Sequence, residues 1–562
     1  MPRLDYFAPG VYVEEVDRGS RPIEGVSTNI AGFIGFTEDV RGDAELFKPM
    51  LVTSWNEYLE YFAKQGSDGY TDFDAYLPFA VNGWFLNGGG RCWVVSIGTK
   101  LPLKPGEQPP ASDETALKIR TTGNRPSLKF ALKPGADEGE NDEFAETGRI
   151  NVSILESEPL PPSNPEAEPP LNTGEFFKVI VSRDGEVLEE YDHLSMNPNI
   201  ETEVGTYAVT ALQDSPFLTA VDLETPGQPL SRRPANGSYE VSPPPVPSTA
   251  DRFPRVVQGV RDDRTGLQGI FEIDEITMLS FPDLMRAYQS GILDLDQVHG
   301  IMEALVSLCE SNAPGRMVAL DPPPCKGGGA PVPPSQVKPQ HIAQWLSAFN
   351  RRSQFAALYY PWIKVPNPRN GGRPILVPPS GHMLGVWCRT DETRGVYKAP
   401  ANDTPRGVIG LAYETNLREQ ELLNPLGINC IRTFPNRGIR IWGARTLVEP
   451  DNVQWRYISV RRLMSYIEKS VELGTQWVVF EPNDQDLWAR VTRTVSNFLE
   501  RLWREGALFG ATASEAFYVK CDSSINTHET MMLGRLYIEV GVCPVRPAEF
   551  VIFRFSQWSP NQ

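Results

Sequence analysis

A chain of 562 residues exceeds what one hydrophobic core organises, so length predicts two to four domains. Its composition, 40% hydrophobic and 10% aromatic, is that of a folded globular protein, and a net charge of −18 argues against nucleic acid or an anionic membrane as the main partner. No apolar run reaches the roughly 18 residues of a membrane span, and the opening MPRLDYFAPG lacks the layout of a signal peptide. The seven cysteines (92, 309, 325, 388, 430, 521 and 543) form no CxxC pair, so folding in the cytoplasm with reduced thiols is expected, without a disulfide framework or a zinc site.

In chain order, PGVYVEEVDRG offers a short strand carrying Val11, Tyr12, Val13 and Val16, bounded by turn formers. So short a strand at a terminus needs an external sheet to join. The apolar stretch from Gly25 to Thr37 suits a sheet interior. Trp55 to Phe62 and Ala75 to Phe85 read as helices with aromatic faces, and RCWVVSIG after the glycines at 88–90 reads as another buried strand. From 101 to 255 the composition changes. Proline-rich and acidic pieces such as ESEPLPPSNPEAEPP surround strand-like segments (Arg149 to Leu155, Phe176 to Ser182), which predicts a small β-rich domain inserted between extended linkers.

An α/β alternation resumes after Phe271, with strands at Arg316 to Leu320 and Phe355 to Tyr360 and helices at Leu295 to Cys309 and around Ile342 to Arg351. Asp321 ends a buried strand, where an α/β enzyme places a catalytic carboxylate, although a capping or turn role fits the same position. The glycine clusters at 88–90 and 327–329 match neither GxGxxG nor a P-loop. None of the five histidines lies in HExxH or beside a plausible nucleophile. The residues thus propose no catalytic, cofactor or metal site.

The C-terminal third is dense with elements. A strand follows Gly438, a helix spans Trp455 to Leu473, and Trp477 to Phe480 reads as a short buried strand stopped by Glu481-Pro482-Asn483. A helix from Asp484 to Arg504 comes next, capped by Asn483 or Asp484, with acids in its first turn and bases in its last. At 100° per residue, Leu487, Val491, Val495, Phe498, Leu499 and Leu502 share one face, and Arg490, Arg493, Asn497, Arg501 and Arg504 the other. In an acidic chain this arginine face is either a solvated surface or a docking ridge. Ala516 to Cys521 and Arg535 to Val542 read as strands. In the second, Leu536, Ile538, Val540 and Val542 alternate with polar positions, and a final strand carries Phe550, Val551, Ile552, Phe553 and Phe555.

Several stretches carry a resemblance: YKAPAN at 397–402, RGV at 406–408, NCIRTFPNRGIRIWGARTL, WRYISVRRL, GTQWVVFEPN, REGALFG and VRPAEFVIF, with PGVYVEE and RPIEGVSTNIAGFIG near the start. In this order they resemble the contractile tail sheath family of phages and injection systems. Pro405, in NDTPRGV, departs from the family's usual pattern.

The resemblance implies an α/β (α+β) sheath core built from both ends of the chain, with extended strand arms. It divides the chain into an N-terminal arm (1–24), the first part of the core (25–100), a variable outer domain (101–255), the second part of the core (256–425), a C-terminal domain facing an inner tube (426–543) and a C-terminal arm (544–562). It further implies a helical homopolymer of hexameric rings around a tube protein, with baseplate and terminal cap proteins as further partners, assembled in the cytoplasm as part of a phage tail or tail-like particle. Neither nucleic acid nor membrane insertion is implied. The strands at 11–16 and 550–555 would be lent to neighbouring subunits, the strand carrying Leu536 to Val542 would accept them, and the arginine face of 484–504 would meet the tube. A non-contracting tail component or adhesin is the alternative reading, and an α/β hydrolase a more distant one.

Overall fold

In the computed structural model, the described residues are 22–102, 104, 117–123, 125–133, 150–157, 174–183, 186–200, 205–223, 227–241, 253–311 and 315–554. The expected strand at Val11, Tyr12, Val13 and Val16 lies outside them, as does Phe555. The chain divides into two compact units, residues 1–105 with 248–562, and residues 106–247.

The first unit is built on an eight-stranded sheet. Its strands are β1 (Ile30–Gly35), β2 (Pro49–Val52), β3 (Arg91–Ser96), β4 (Met278–Ser280), β5 (Met317–Leu320), β6 (Ala356–Tyr360), β7 (Ile428–Phe434) and β8 (Gly438–Ile441), in spatial order β8-β7-β6-β5-β4-β1-β3-β2. The strands from β7 through β3 in this order run parallel, and β8 and β2 close the two edges antiparallel. Parallel strands are covered on both faces, which is why IAGFIG, MVAL and AALYY are apolar throughout and fully buried. Among the helices that pack on the sheet is α1 (Ser380–Arg394), whose buried Trp387 and Met383 join the main core.

A second core in this unit forms around α2 (Ile458–Gly474) and α3 (Gln485–Arg504), with the two-stranded sheet of β9 (Phe517–Lys520) and β10 (Glu539–Val542). Residues 23–26 lie along α2. Ile23 is buried in this core, and Val26 N–H donates to Ser470 Oγ at 3.2 Å. The approach is too close for side chains at two glycines: a Cβ on Gly25 would sit 1.9 Å from Tyr466 Oη, and one on Gly474 2.6 Å from Ile23.

The unit 106–247 has its own core, with Phe130, Val152, Phe177, Val179 and Leu218 in its centre. One sheet takes the strands Gly237–Val241, Ile150–Glu156, Phe177–Arg183, Glu186–Ser195 and Thr206–Tyr207 in that order, and a three-stranded sheet joins Leu218–Asp222, Pro126–Leu132 and Leu117–Arg120. Cys92, Cys309, Cys325, Cys388, Cys430 and Cys521 are buried as free thiols, and Cys543 is exposed.

Three expected strands differ. Phe550, Val551, Ile552 and Phe553 form no strand, because they pair with no other strand among the described residues. Trp477 to Phe480 is not a strand but a 3₁₀ turn, Gln476–Val478, after which Phe480 adopts a left-handed φ of 68° with its ring fully exposed. Trp477 and Val478 are half-buried and Val479 and Phe480 exposed, and among the described residues no neighbouring strand pairs with the stretch. In the stretch Arg535 to Val542 only Glu539–Val542 is strand. At Tyr537 the side chain of Asn526 takes the place of a partner strand, accepting the backbone N–H at 2.7 Å and donating to the carbonyl at 3.0 Å. The alternation survives: Leu536, Ile538, Val540 and Val542 pack on the second core, and Tyr537 and Glu539 point out.

Candidate assembly surface

Helix α3 begins at Asp484, whose carboxylate accepts the Leu487 N–H at 2.8 Å, and ends with Arg501 and Arg504 in its last turn. Leu487, Val491, Val495, Phe498, Leu499 and Leu502 are buried, as their spacing requires. Burying each such side chain contributes about 1.5–3 kcal/mol, whereas an exposed ion pair contributes at most about 1 kcal/mol. The apolar face therefore fixes the helix, and the opposite face contributes less to folding.

Arg490, Arg493, Asn497, Arg501 and Arg504 all lie on that exposed face, but they are not equivalent. Arg490 covers the Trp477 ring at 5.4 Å and pairs with Glu481 at 3.2 Å. Arg504 pairs with Glu500 one turn back. Arg501 donates to the backbone carbonyl of Ile23 at 2.8 Å, so it ties down the segment that leads to the N-terminus. The side chains of Arg493 and Asn497 make no hydrogen bond or ion pair among the described residues. The positive stripe is thus narrower than the sequence implies: Glu481 and Glu500 offset two of its charges, and Arg501 serves the chain itself.

At the other end of the second core, β9 and β10 pair only with each other among the described residues, which leaves an outer edge on each. The chain then runs through Cys543 and Val545, bonded to Ala516 and Ala507, toward Glu549. Beyond it Phe550, Val551, Ile552 and Phe553 are 68–79% exposed, a run of large apolar side chains.

Residues that the sequence reading passed over turn out to join the layers. Arg462, in WRYISVRRL, is 5% exposed and forks onto the carboxylate of Asp391 in α1, at 2.8 Å from Nη1 to Oδ1, while its Nη2 also donates to Thr28 O at 3.1 Å. Thr28 Oγ1 completes the node on Asp391 at 2.7 Å, and the guanidinium lies 5.3 Å from the Trp387 ring. Arg461, also buried, is held between Phe355 and Trp455 and pairs with Glu468 at 3.0 Å. The only local signal was two adjacent arginines that fall on the inward face of a helix.

Asp321 does end β5, and there its carboxylate accepts the Ser380 N–H at 3.0 Å and the Ser380 hydroxyl, capping the start of α1. Ser280 bonds Ser380 at 2.7 Å, and the whole group is sealed from solvent. His382, next in α1, is buried, and burial pushes its imidazole down to about 4. Among the described residues no group of three metal-binding side chains occurs, and no helix is long and apolar enough to cross a membrane.

Solved structures share this architecture. Over 98% of the chain it is similar to the helical sheath of the anti-feeding prophage in its contracted state, at 23% identity, a TM-score of 0.54 and 99% coverage of that chain. The contracted sheath complex PVC of an extracellular contractile injection system matches at 21% identity and the same TM-score, over 98% of each chain. The fold is therefore that of a contractile sheath subunit. The sequence profile of the phage tail sheath protein central domain matches residues 296–447, and that of the phage tail sheath C-terminal domain residues 451–557. Both profiles, together with curated tail sheath proteins, support a contractile tail sheath family for this chain. The tail sheath protein of Salmonella phage ViI is 25% identical over 225 residues, and that of Burkholderia phage BcepMu 28% identical over 197. These matches take in 39% and 34% of this chain but only 34% and 40% of the relatives, so the chain spans well under half the length of the curated relatives it matches.

Proposed function

We propose that this chain is the structural subunit of a contractile sheath, polymerising as stacked hexameric rings around an inner tube and contracting from a metastable extended state without nucleotide. The observation that carries the reading is the occurrence together of an exposed apolar run at Phe550 to Phe553 and a two-stranded sheet that joins no other strand among the described residues. Strand addition to such an edge joins subunits through backbone hydrogen bonds, and alternate side chains set the register. Val540 and Val542 lie on the accepting strand, with Leu536 and Ile538 on the segment that leads into it, and the stretch of Val11, Tyr12, Val13 and Val16 is the second candidate arm. Contacts that do not close on themselves build a filament.

The work of contraction then comes from surface covered as subunits move closer. About 500 Å² of extra apolar burial per subunit supplies at most about 12 kcal/mol, which hundreds of subunits multiply. On the inner side Arg490 and Arg493 meet acidic groups of the tube protein. Each such pair is weak enough to release on firing. Baseplate and terminal cap proteins complete the particle.

Electron microscopy of the chain expressed alone tests this reading. Long hollow cylinders are expected. Monomers or closed single rings at high concentration would point instead to a non-contracting tail component.

A further inference from the structure

The C-terminal segment is held by one side chain just before its apolar run begins. Val545 N–H donates to Ala507 O at 3.1 Å, and the next hold is the carboxylate of Glu549. Arg445 grips it with two nitrogens, Nε at 2.9 Å from Oε1 and Nη2 at 2.6 Å from Oε2. Asn424 Nδ2 donates to Oε1 at 2.8 Å, and the Tyr457 hydroxyl donates to Oε2 at 2.9 Å.

The receiving groups are themselves rigid. Arg445 is 8% exposed, its Nη1 donates to Asn424 O at 3.0 Å, and its backbone is fixed on both sides by Asn429, at 2.7 Å through N–H and 2.8 Å through the carbonyl. Burial works against the Glu549 charge, but the bonds from Arg445 and Asn424 outweigh it and hold the carboxyl below its ordinary value. Four donors from three separate stretches of chain converge on a residue whose neighbours, Ala548 and Phe550, are exposed. Three of the participants, Arg445, Tyr457 and Glu549, lie in separate stretches among those that carried the sequence resemblance.

These four donors converge on a carboxylate immediately before an exposed apolar run. What they fix is where the chain leaves the subunit, and in which direction. We propose that Glu549 is the positioning residue of the C-terminal arm: its clamp on Arg445, Asn424 and Tyr457 aims residues 550–554 at the open sheet edge of a second copy of this chain. The proposal rests on the sheath reading above. The physical gain is pre-organisation. An arm that leaves from a fixed point searches less space than a free tail, so its effective concentration at the neighbouring sheet is higher and less ordering entropy is lost on docking.

The full-length chain and its Glu549→Gln and Tyr457→Phe variants test this through three measurements: thermal midpoint, backbone hydrogen exchange of 544–554 in the unassembled subunit, and the concentration at which cylinders form. Glu549→Gln is expected to leave the midpoint within a few degrees of the parent, to speed exchange in 544–554, and to raise the assembly concentration by about tenfold or more. Tyr457→Phe, which removes one of the four donors, should fall between parent and Glu549→Gln in the last two measurements. A merely structural role would move the midpoint and leave assembly of the folded fraction unchanged, and that result overturns the proposal. So does an unchanged assembly concentration for both variants while the parent forms cylinders. If the parent forms none, the sheath reading fails first, and the arm's destination with it.

Discussion

Asp283 shows how a residue can be central to the fold without being chemical. It is fully buried and accepts the backbone N–H groups of Tyr76, Phe36 and Leu77, which ties the end of β1 to the helix Leu77–Leu86. Burial pushes its carboxyl from the ordinary 3.8 up to about 7, with the three N–H donors pulling the other way. Burial also raises Asp321 to about 7. A carboxyl whose folded value is raised binds its proton more tightly in the native state, so its contribution to stability is full below about pH 3.8 and is lost as pH rises through about 7. Urea unfolding at a series of pH values from 4 to 8 should show this fall. Asp283→Asn should cost about 2–3 kcal/mol, because an amide offers one acceptor where two oxygens receive three donors, and should make the fall shallower. The Arg462–Asp391 node predicts a different pattern. Arg462→Met leaves a buried carboxylate alone and should cost about 3–5 kcal/mol, whereas adding Asp391→Leu should recover part of the loss. Strict additivity in that cycle would show that the two residues do not act as a pair. The sequence could place Asp321 at a strand end, but not the partners of Asp391, which lie 71 and 363 residues away.

At the scale of elements, legibility followed locality. Helix α3 was readable because its cap, its dipole-matched ends and its 3.6-residue stripe lie within one window. The central strands were readable as apolar runs. Trp477 to Phe480 was misread because a short apolar run does not say whether a partner strand exists, and Tyr537 because the group that replaces its partner is the side chain of Asn526. The role of Arg501 was invisible for a related reason, since its acceptor at Ile23 is 478 residues distant. That contact changes the test of the arginine face. Reversing Arg501 would disturb the N-terminal segment as well as any tube contact, so Arg490→Glu with Arg493→Glu is the cleaner variant. It should keep the circular dichroism of the parent and still form cylinders alone, but fail to co-assemble around a tube in the extended form. Normal extended particles from that variant would return the stripe to ordinary solvated surface.

For the whole molecule, the strand order has the early chain threaded into the later chain. β1 lies between β3 and β4, so the first hundred residues supply three adjoining strands, two of them interior, to a sheet completed only after the residues of the second unit have been made. The two units nevertheless have separate cores, with the breaks at 105–106 and 247–248. Replacing residues 106–247 by a short flexible linker should therefore leave the remainder folded, with a cooperative unfolding transition and cylinders by electron microscopy. Loss of cylinders from a folded deletion chain would mean that the second unit takes part in subunit contacts. The proline-rich stretches signalled an insertion, because such runs resist both helix and central strand, but nothing local revealed that the sheet is assembled from both sides of it.

Cys543 gives the particle a built-in reporter. As the one exposed thiol of seven, it lies immediately after β10 and six residues before Glu549, on the stretch that leads to the C-terminal arm. A thiol reagent added to the native subunit should modify it alone, without any engineered residue. If neighbouring strands settle along β10, its reaction rate will drop as copies of the chain assemble. A spectrophotometric thiol assay could then follow polymerisation in real time, and an environment-sensitive dye at this position could separate extended from contracted lattices without an image being taken.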